Sequence, residues 1–178
     1  HKFKTEYQYN SLNQLVKQET PDGGITRFAY DRLGRIIASQ NANQILGEDK
    51  RVRFSYTKYD ELGRITEAGE VKVSPSDNYS INDEGKLIKD GEELNEFPDY
   101  LERNEVTRTL YDIDPVVETV PNIVHASELF ITNLSGTNPS LINRNRVTAV
   151  LYNDVLQNSS DTSFDNAIYY NYDVHGNV

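Results

Sequence analysis

The fold of this chain is decided by the heptapeptide YDRLGRI at residues 30–36, which returns as YDELGRI at residues 59–65. The two copies agree at six of seven positions, which indicates an internal repeat. An aspartate at the start of a turn accepts hydrogen bonds from backbone amides. A glycine three residues later supplies the left-handed backbone that a tight hairpin with a bulge requires. Since tyrosine and isoleucine favour strands, the motif predicts a strand, a tight turn and a second strand.

Three weaker copies extend the repeat along the chain. YNSLNQL at residues 9–15 has asparagine in the glycine position, and asparagine also tolerates a positive φ. INDEGKL at residues 81–87 keeps the glycine, and YDVHGNV at residues 172–178 is an altered copy. The first four copies start at residues 9, 30, 59 and 81, so a period near 21 with one insertion accounts for them. Two strands of about six residues and two turns of about four fill such a period.

The motif also predicts which side chains build the turns. They are the tyrosines, aspartates, glycines and arginines of the repeat: Tyr30, Asp31, Gly34, Arg35, Tyr59, Asp60, Gly63, Arg64, Tyr172, Asp173 and Gly176. We expect a positive φ at Gly34 and Gly63, and largely buried rings at Tyr30 and Tyr59, because repeat modules bury equivalent positions against their neighbours.

Alternating apolar and polar residues around the motif predict a mainly β chain of antiparallel hairpins with few or no helices. We divide it into hairpins at residues 1–73, an acidic irregular insertion at residues 74–105 and further hairpins at residues 106–178, all in one structural unit. The insertion holds ten acidic and three basic residues, so it carries most of the chain's net charge of −10. Strand character is also predicted at residues 106–111, 128–132, 147–152 and 167–172.

Composition argues against several function classes. The chain has no cysteine, so disulfides, zinc-thiolate sites and thiol catalysis are excluded. With 18 basic and 28 acidic residues, it is a poor ligand for nucleic acid or an anionic membrane. No apolar run approaches the roughly 20 residues that span a bilayer.

The sequence offers no catalytic or metal-binding pattern either. His1, His125 and His175 are far apart in sequence, and residues 80–91 fail the calcium-loop template because Ser80 and Gly91 occupy acidic positions. We therefore expect no enzyme activity, no cofactor and no metal.

The heptapeptide copies resemble the YD repeats of Rhs-type bacterial proteins and of teneurins. The stretch from NRNRV at residues 143–147 to residue 177 is similar to the region leading into the Rhs-associated core. The resemblance implies that the hairpins form a curved or spiral sheet, part of a hollow shell that encloses a C-terminal toxic domain in toxin members. It also implies a self-cleaving Asp-Pro-x-Gly segment at the end of the core. Asp114-Pro115 does not match this segment, because valines follow it.

Two functional hypotheses follow. In the first, the chain is a non-catalytic fragment upstream of the core, within a shell that encloses or displays an effector. In the second, it is a carbohydrate- or protein-binding module at the bacterial cell surface. The resemblance implies a secreted or surface location and, as partners, neighbouring YD repeats and an encapsulated toxin domain. A glycan is a further candidate partner. If neighbouring repeats are missing, the end strands of the sheet expose unpaired backbone N–H and C=O groups. We therefore also expect weak self-association through these strands.

Overall fold

The structure, a computed structural model, describes residues 3–45, 51–112, 145–156, 164–170 and 172. Its strands are β1 (Glu6–Tyr9), β2 (Leu15–Thr20), β3 (Gly24–Tyr30), β4 (Ile36–Gln40), β5 (Val52–Tyr59), β6 (Ile65–Val73), β7 (Tyr79–Ile81), β8 (Leu87–Lys89), β9 (Glu92–Leu94), β10 (Glu102–Tyr111), β11 (Val147–Leu156) and β12 (Asn166–Tyr169). Across these ranges, helical structure is limited to 3-10 turns at Ala42–Gln44 and Pro75–Asp77. No described helix is long and apolar enough to cross a membrane. The predicted mainly β class is confirmed; the strand predicted at residues 128–132 lies outside the described residues.

Nine strands form one open antiparallel sheet in the order β1-β2-β3-β4-β5-β6-β10-β11-β12. Each strand pairs with its neighbour in sequence except where β10 follows β6 across an insertion. Because the strands alternate in direction, the β1–β2, β3–β4, β5–β6 and β10–β11 connections all lie at the same end of the strands. We call this the turn end of the sheet.

The four hairpins that close at the turn end share one irregularity. Their register shifts at the tyrosine before the turn, which pairs as Tyr9 with Leu15, Tyr30 with Ile36, Tyr59 with Ile65 and Tyr111 with Val147. Each shift places one extra residue on the returning strand, which is a β-bulge. In β4 and β11 the extra residues, Ile37 and Thr148, are buried. The repeat therefore specifies a bulge as well as a turn.

The insertion after β6 is more regular than the sequence predicts. Its strands β7, β8 and β9 form a separate antiparallel sheet, and Glu102–Glu105, assigned to the insertion from sequence, belong to β10. Asp90 and Gly91, both with positive φ, form the turn between β8 and β9. The expectation of irregular structure was wrong because short strands bury alternate side chains here, such as Tyr79 and Ile81, despite the acidic composition.

The core lies between this small sheet and one face of the large one. Phe97 of the insertion is buried at 5.4 Å from the Phe54 ring and 5.6 Å from the Tyr79 ring, centroid to centroid. The buried cluster comprises Ala29, Ile37, Ala38, Phe54, Tyr56, Val71 and Val73 from the large sheet, with Tyr79, Ile81, Leu87, Phe97 and Leu101 from the insertion. The insertion thus covers one face of β3 to β6.

A buried ionic network connects the end of the insertion to the large sheet. Glu67 on β6 accepts hydrogen bonds from the Tyr56 hydroxyl at 2.7 Å, Arg103 Nη1 at 3.2 Å and Arg108 Nε at 2.8 Å. Burial alone would raise the pKa of Glu67, but the hydrogen bonds from Tyr56 and Arg108 and the two nearby guanidinium charges lower it overall. Arg103, 1% exposed, also donates to Asp99 at 2.6 Å. The network joins β5, β6 and β10 to the end of the insertion.

Candidate functional site

The repeat turns have the geometry that the heptapeptide predicts. Asp31 Oδ1 accepts hydrogen bonds from the amides of Leu33 and Arg35, each at 2.9 Å. Asp60 Oδ1 does the same with Leu62 at 2.9 Å and Arg64 at 2.8 Å. The glycines of both turns, Gly34 and Gly63, have φ of +80°. The predicted positive φ and aspartate bonds are thus present in both good copies.

Two of the weak sequence copies form the same turn. Asn10 Oδ1 accepts from the amides of Leu12 and Gln14, and Asn13 has φ of +60°. Asn82 Oδ1 likewise accepts from Glu84 and Lys86, in a turn whose Gly85 has φ of +76°. An asparagine amide oxygen accepts the same two backbone bonds as a carboxylate, so the turn survives the substitution.

Each good turn also holds its arginine. Arg35 Nε donates to Asp31 Oδ2 at 2.7 Å, and Arg64 Nε donates to Asp60 Oδ2 at the same distance. Partial burial raises the pKa of both carboxyls, but the hydrogen bonds from the arginine backbone and side chain outweigh it, so the net pKa is lowered. The aspartate therefore fixes the turn with one oxygen and orients its arginine with the other.

The tyrosines link each hairpin to the one before it. Each hydroxyl donates to the carbonyl of the residue that follows the arginine position of the preceding hairpin. The bonds run from Tyr30 to Leu15 at 2.8 Å, Tyr59 to Ile36 at 2.9 Å, Tyr111 to Ile65 at 3.0 Å and Tyr172 to Val147 at 2.9 Å.

The arginines link each hairpin to the one after it. The guanidinium carbon of Arg35 lies 4.5 Å from the centre of the Tyr59 ring, that of Arg64 lies 4.2 Å from Tyr111, and that of Arg146 lies 4.8 Å from Tyr172. These distances are within the range of cation–π attraction. We call the set Tyr30, Arg35, Tyr59, Arg64, Tyr111, Arg146 and Tyr172 the tyrosine–arginine ladder.

Tyr30 and Tyr59 occupy equivalent ladder positions, as predicted, but both are half-buried rather than largely buried. Tyr59 lies under the Arg35 guanidinium group, and a charged group of this kind remains near water. The buried aromatic residues among those described are instead Phe54 and Tyr56 on the core face of β5, with Tyr79 and Phe97 of the insertion.

Sequence reasoning missed two ladder residues, Tyr111 and Arg146. Their signal was present as Tyr111-Asp112 and Asn145-Arg146-Val147, but 32 residues separate the two halves of the motif. Of the predicted turn residues, Tyr172 joins the ladder, whereas Asp173 and Gly176 lie outside the described residues, as do all three histidines.

A cleft of about 300 Å³ lies beside the second repeat turn. Its lining includes Asp31, Arg35, Lys58, Tyr59 and Glu96. Both charge signs are present, and Arg35 and Tyr59 are already engaged with each other. Within the described ranges, no three histidine or acidic side chains are grouped as metal ligands. We assign no ligand to this cleft.

The comparison with known families concerns the repeat turns at the turn end of the sheet. Residues 9–45 match the family model described as RHS Repeat, a stretch of 37 of the 178 residues that includes the first two repeat turns. Residues 9–45 therefore carry an RHS repeat. No curated protein matches it closely enough to count as a relative. The repeat turn at residues 60–64 and the turns beyond it lie outside the matched stretch, and they are assigned by their sequence and their hydrogen bonds.

The RHS repeat has a structural role in this chain. Its polar residues bond to one another and to backbone groups, and the ladder uses both the ring and the hydroxyl of Tyr59, Tyr111 and Tyr172. A hairpin held in this way has a fixed position relative to the next. The site therefore positions successive hairpins within one sheet.

Proposed function

We propose that this chain is a non-catalytic segment of the wall of a YD-repeat shell, which encloses or displays a C-terminal effector. The observation that supports the proposal is the direction of the ladder. Each tyrosine bonds backwards along the sheet and each arginine stacks forwards, so any hairpin of this type accepts another on either side. A structure built from such units extends by adding repeats, as solenoids do.

The first hairpin supports this reading. Tyr9 holds the ladder position before its turn, yet it is 55% exposed, and its hydroxyl has no hydrogen-bond partner within the described residues. A hairpin placed before β1 would supply both a carbonyl for the hydroxyl and an arginine for the ring. We propose that a neighbouring YD repeat occupies this position in the shell.

A grafted repeat tests whether the sheet extends. A second copy of residues 24–40 would be placed ahead of residue 4 and joined through a copy of turn residues 21–23. We expect the extended chain to melt at a higher temperature than the original, and Tyr9→Phe to lower the melting temperature in the extended chain only. An unchanged melting temperature, with Tyr9→Phe neutral in both chains, would count against an extending wall.

A test of the proposed enclosure requires the full-length protein that carries this sequence. Electron cryomicroscopy should show a β-shell with protein inside it, and protease should spare the C-terminal region until the shell is opened. Rapid release of that region by protease would leave the extending wall intact but overturn enclosure. A secreted or surface location is part of the same proposal and rests on the family resemblance.

Self-association through end strands also belongs to the proposal. Strand β1 is exposed along its whole length and lies at an edge of the sheet. Salt screens the repulsion between acidic chains over about 8–10 Å, so association should increase with salt. A compact sphere of this length has a radius of gyration of roughly 16 Å. Small-angle scattering should give a larger value that rises with concentration and salt.

The alternative is a glycan- or protein-binding module at the cell surface. Two half-exposed rings on one strand favour it, Tyr7 and Tyr9, because an aromatic ring with a hydroxyl group suits carbohydrate. The rings of Tyr59, Tyr111 and Tyr172 are less suited, because arginines already cover them. Saturable glycan binding that is lost in Tyr7→Ala would support this alternative over the structural role.

A further inference from the structure

We infer that this chain associates with a second copy of itself, turn end to turn end, through two neighbouring repeat turns. These turns are residues 31–35, between β3 and β4, and residues 60–64, between β5 and β6. The contact places Leu33 of each copy against Leu62 of the other, and Arg32 of each copy against Glu61 of the other. It is independent of the shell proposal and uses neither end strand of the sheet.

A row of exposed leucines lies along the turn end of the sheet. Leu12, Leu33 and Leu62 are 74%, 78% and 69% exposed, and the amide of each donates to the asparagine or aspartate that opens its turn. Neighbouring hairpins are two strand spacings apart, so these equivalent positions follow one another at steps of about 10 Å. Single exposed apolar residues are common on protein surfaces, whereas a group of them is typical of an interaction site.

The repeat turn does not need a leucine in this position. In the insertion turn the same position holds Glu84, whose amide donates to Asn82 Oδ1 at 3.1 Å, and the turn closes with Gly85 at φ of +76°. The exposed leucines also lie outside the buried core cluster. Neither the backbone of the turn nor the core of the chain therefore accounts for leucine here, and a second apolar surface does.

The second and third turns carry more exposed apolar surface than their leucines alone. Ile36 and Ile65, the first residues of β4 and β6, are 40% and 46% exposed. The corresponding residue of the first hairpin, Leu15, is half-buried. The two turns at residues 31–35 and 60–64 are therefore the best apolar part of the row.

Charge selects a second copy as the partner and fixes how it faces the first. The two heptapeptides differ only at Arg32 and Glu61, which have opposite charges. Both side chains are exposed, and neither forms an ion pair within the described part of the chain. In a two-fold contact residue i meets residue j and j meets i, so an axis between the two turns pairs each Arg32 with Glu61 of the other copy. Facing like turns would instead oppose arginine to arginine and glutamate to glutamate.

The shape of the sheet limits the size of this contact. Adjacent strands twist by roughly 20–25°, so two facing turn ends diverge beyond a central pair of turns. Two turns from each copy bury less area than a standard interface, and a net charge of −10 on each copy adds repulsion. We therefore expect a weak dimer with a dissociation constant on the order of 0.1–1 mM.

Charge reversal tests the pairing of Arg32 with Glu61. Sedimentation equilibrium of the whole chain, at one ionic strength and at concentrations up to about 1 mM, gives the dissociation constant of each variant. Arg32→Glu and Glu61→Arg should each weaken the dimer by about tenfold, because each change creates two like-charge pairs. The double variant exchanges the charges and should return to within about threefold of the native chain.

The same series separates this contact from association through the end strands. Arg32→Glu makes the chain more acidic and Glu61→Arg makes it less acidic, so general repulsion would weaken association in the first variant and strengthen it in the second. That order would overturn the inference. A native chain that remains monomeric over the whole concentration range would overturn it as well.

Single thiols test which turns face each other, since the chain has no cysteine of its own. A mixture of Leu33→Cys and Leu62→Cys chains, in a thiol–disulfide buffer, should form the disulfide between unlike variants several times faster than either variant alone forms a disulfide with itself. Leu12→Cys is the matched control, because it places a thiol at the same exposed position of a turn outside the contact. Equal rates in all combinations, or faster crosslinking between like variants, would show that the inferred contact is wrong.

Discussion

The guanidinium group of Arg35 lies 4.5 Å from the centre of the Tyr59 ring, although the two residues belong to successive repeats. Arg35 Nε donates a hydrogen bond to Asp31 Oδ2 at 2.7 Å, and this bond orients the guanidinium group toward the Tyr59 ring. The same relationship joins Arg64 to Tyr111. This contact fixes the position of one hairpin relative to the next. It is therefore the first contact to test by mutation.

A double-mutant cycle should detect this contact. We expect Arg35→Ala and Tyr59→Leu to be coupled by about 0.5–1 kcal/mol in the free energy of unfolding, which is typical of an exposed cation–π pair. Chemical denaturation of the four chains gives the coupling. Combining Arg35→Ala with Tyr7→Leu provides the control, because Tyr7 does not contact Arg35 and additive effects are expected. Additivity in both cycles would show that the stacking contributes nothing.

The hydroxyl bonds of the ladder have a separate effect. Tyr59→Phe removes the bond to the Ile36 carbonyl and keeps the ring, so it should lower the free energy of unfolding by about 1 kcal/mol. Tyr7→Phe removes an exposed hydroxyl from β1 and should leave stability unchanged. Equal effects of the two changes, measured by urea denaturation, would argue against a role for the hydroxyl bond.

Gly85 reports how the insertion docks on the large sheet. An added Cβ there would lie 2.6 Å from Val16 Cγ1 and 3.3 Å from the Phe28 carbonyl oxygen. Gly85→Ala should therefore cost about 1–3 kcal/mol more than Gly91→Ala, because Gly91 also has positive φ but has open space around it. Thermal denaturation of both variants measures the difference. Similar losses would mean that only backbone strain matters at Gly85.

Phe97 tests whether the insertion completes the core. Its side chain is 2% exposed between Phe54 and Tyr79, so Phe97→Ala should cost about 3–5 kcal/mol. Leu33→Ala removes a large apolar side chain that is exposed in a repeat turn, and it should cost far less. A loss below about 1 kcal/mol for Phe97→Ala would show that the insertion is weakly docked.

Acid should weaken the contacts of Asp99, which connect the end of the insertion to the large sheet. Hydrogen bonds from Arg103 and Lys58 lower the pKa of Asp99 to about 2, from an ordinary value of 3.8. A carboxyl with a depressed folded-state pKa stabilises the fold above its unfolded pKa and loses this effect as pH falls through the folded value. Stability should thus fall between about pH 4 and pH 2, and the fall should be smaller in Asp99→Asn. The control is Asp83→Asn, which also removes one carboxylate but at an exposed position. In denaturation experiments its stability should depend on pH as that of the native chain does.

Local residues alone predicted the repeat turns. Asp31 and Gly34 lie within four positions of each other, and their requirements, an acceptor for backbone amides and a left-handed φ, are met inside one turn. For this reason the turn at Asn82 could be proposed from seven letters of sequence, and the structure contains it. The antiparallel class followed, since alternating strands joined by short turns pair with their neighbours.

The contacts between successive turns depend on the tertiary structure. The distance from Arg35 to Tyr59 depends on how adjacent hairpins pair, and the heptapeptide contains no information about that register. Burial of Arg103 beside Glu67 also could not be predicted, because a charged residue in an acidic stretch ordinarily remains in solvent. The repeat at Tyr111 was hidden for the same physical reason: its two halves are distant in sequence, and only the pairing of β10 with β11 brings Asp112 back to Arg146. Sequence alone therefore determined the hairpin unit, whereas the contacts between units, which join residues far apart in the chain, were decided by the folded sheet.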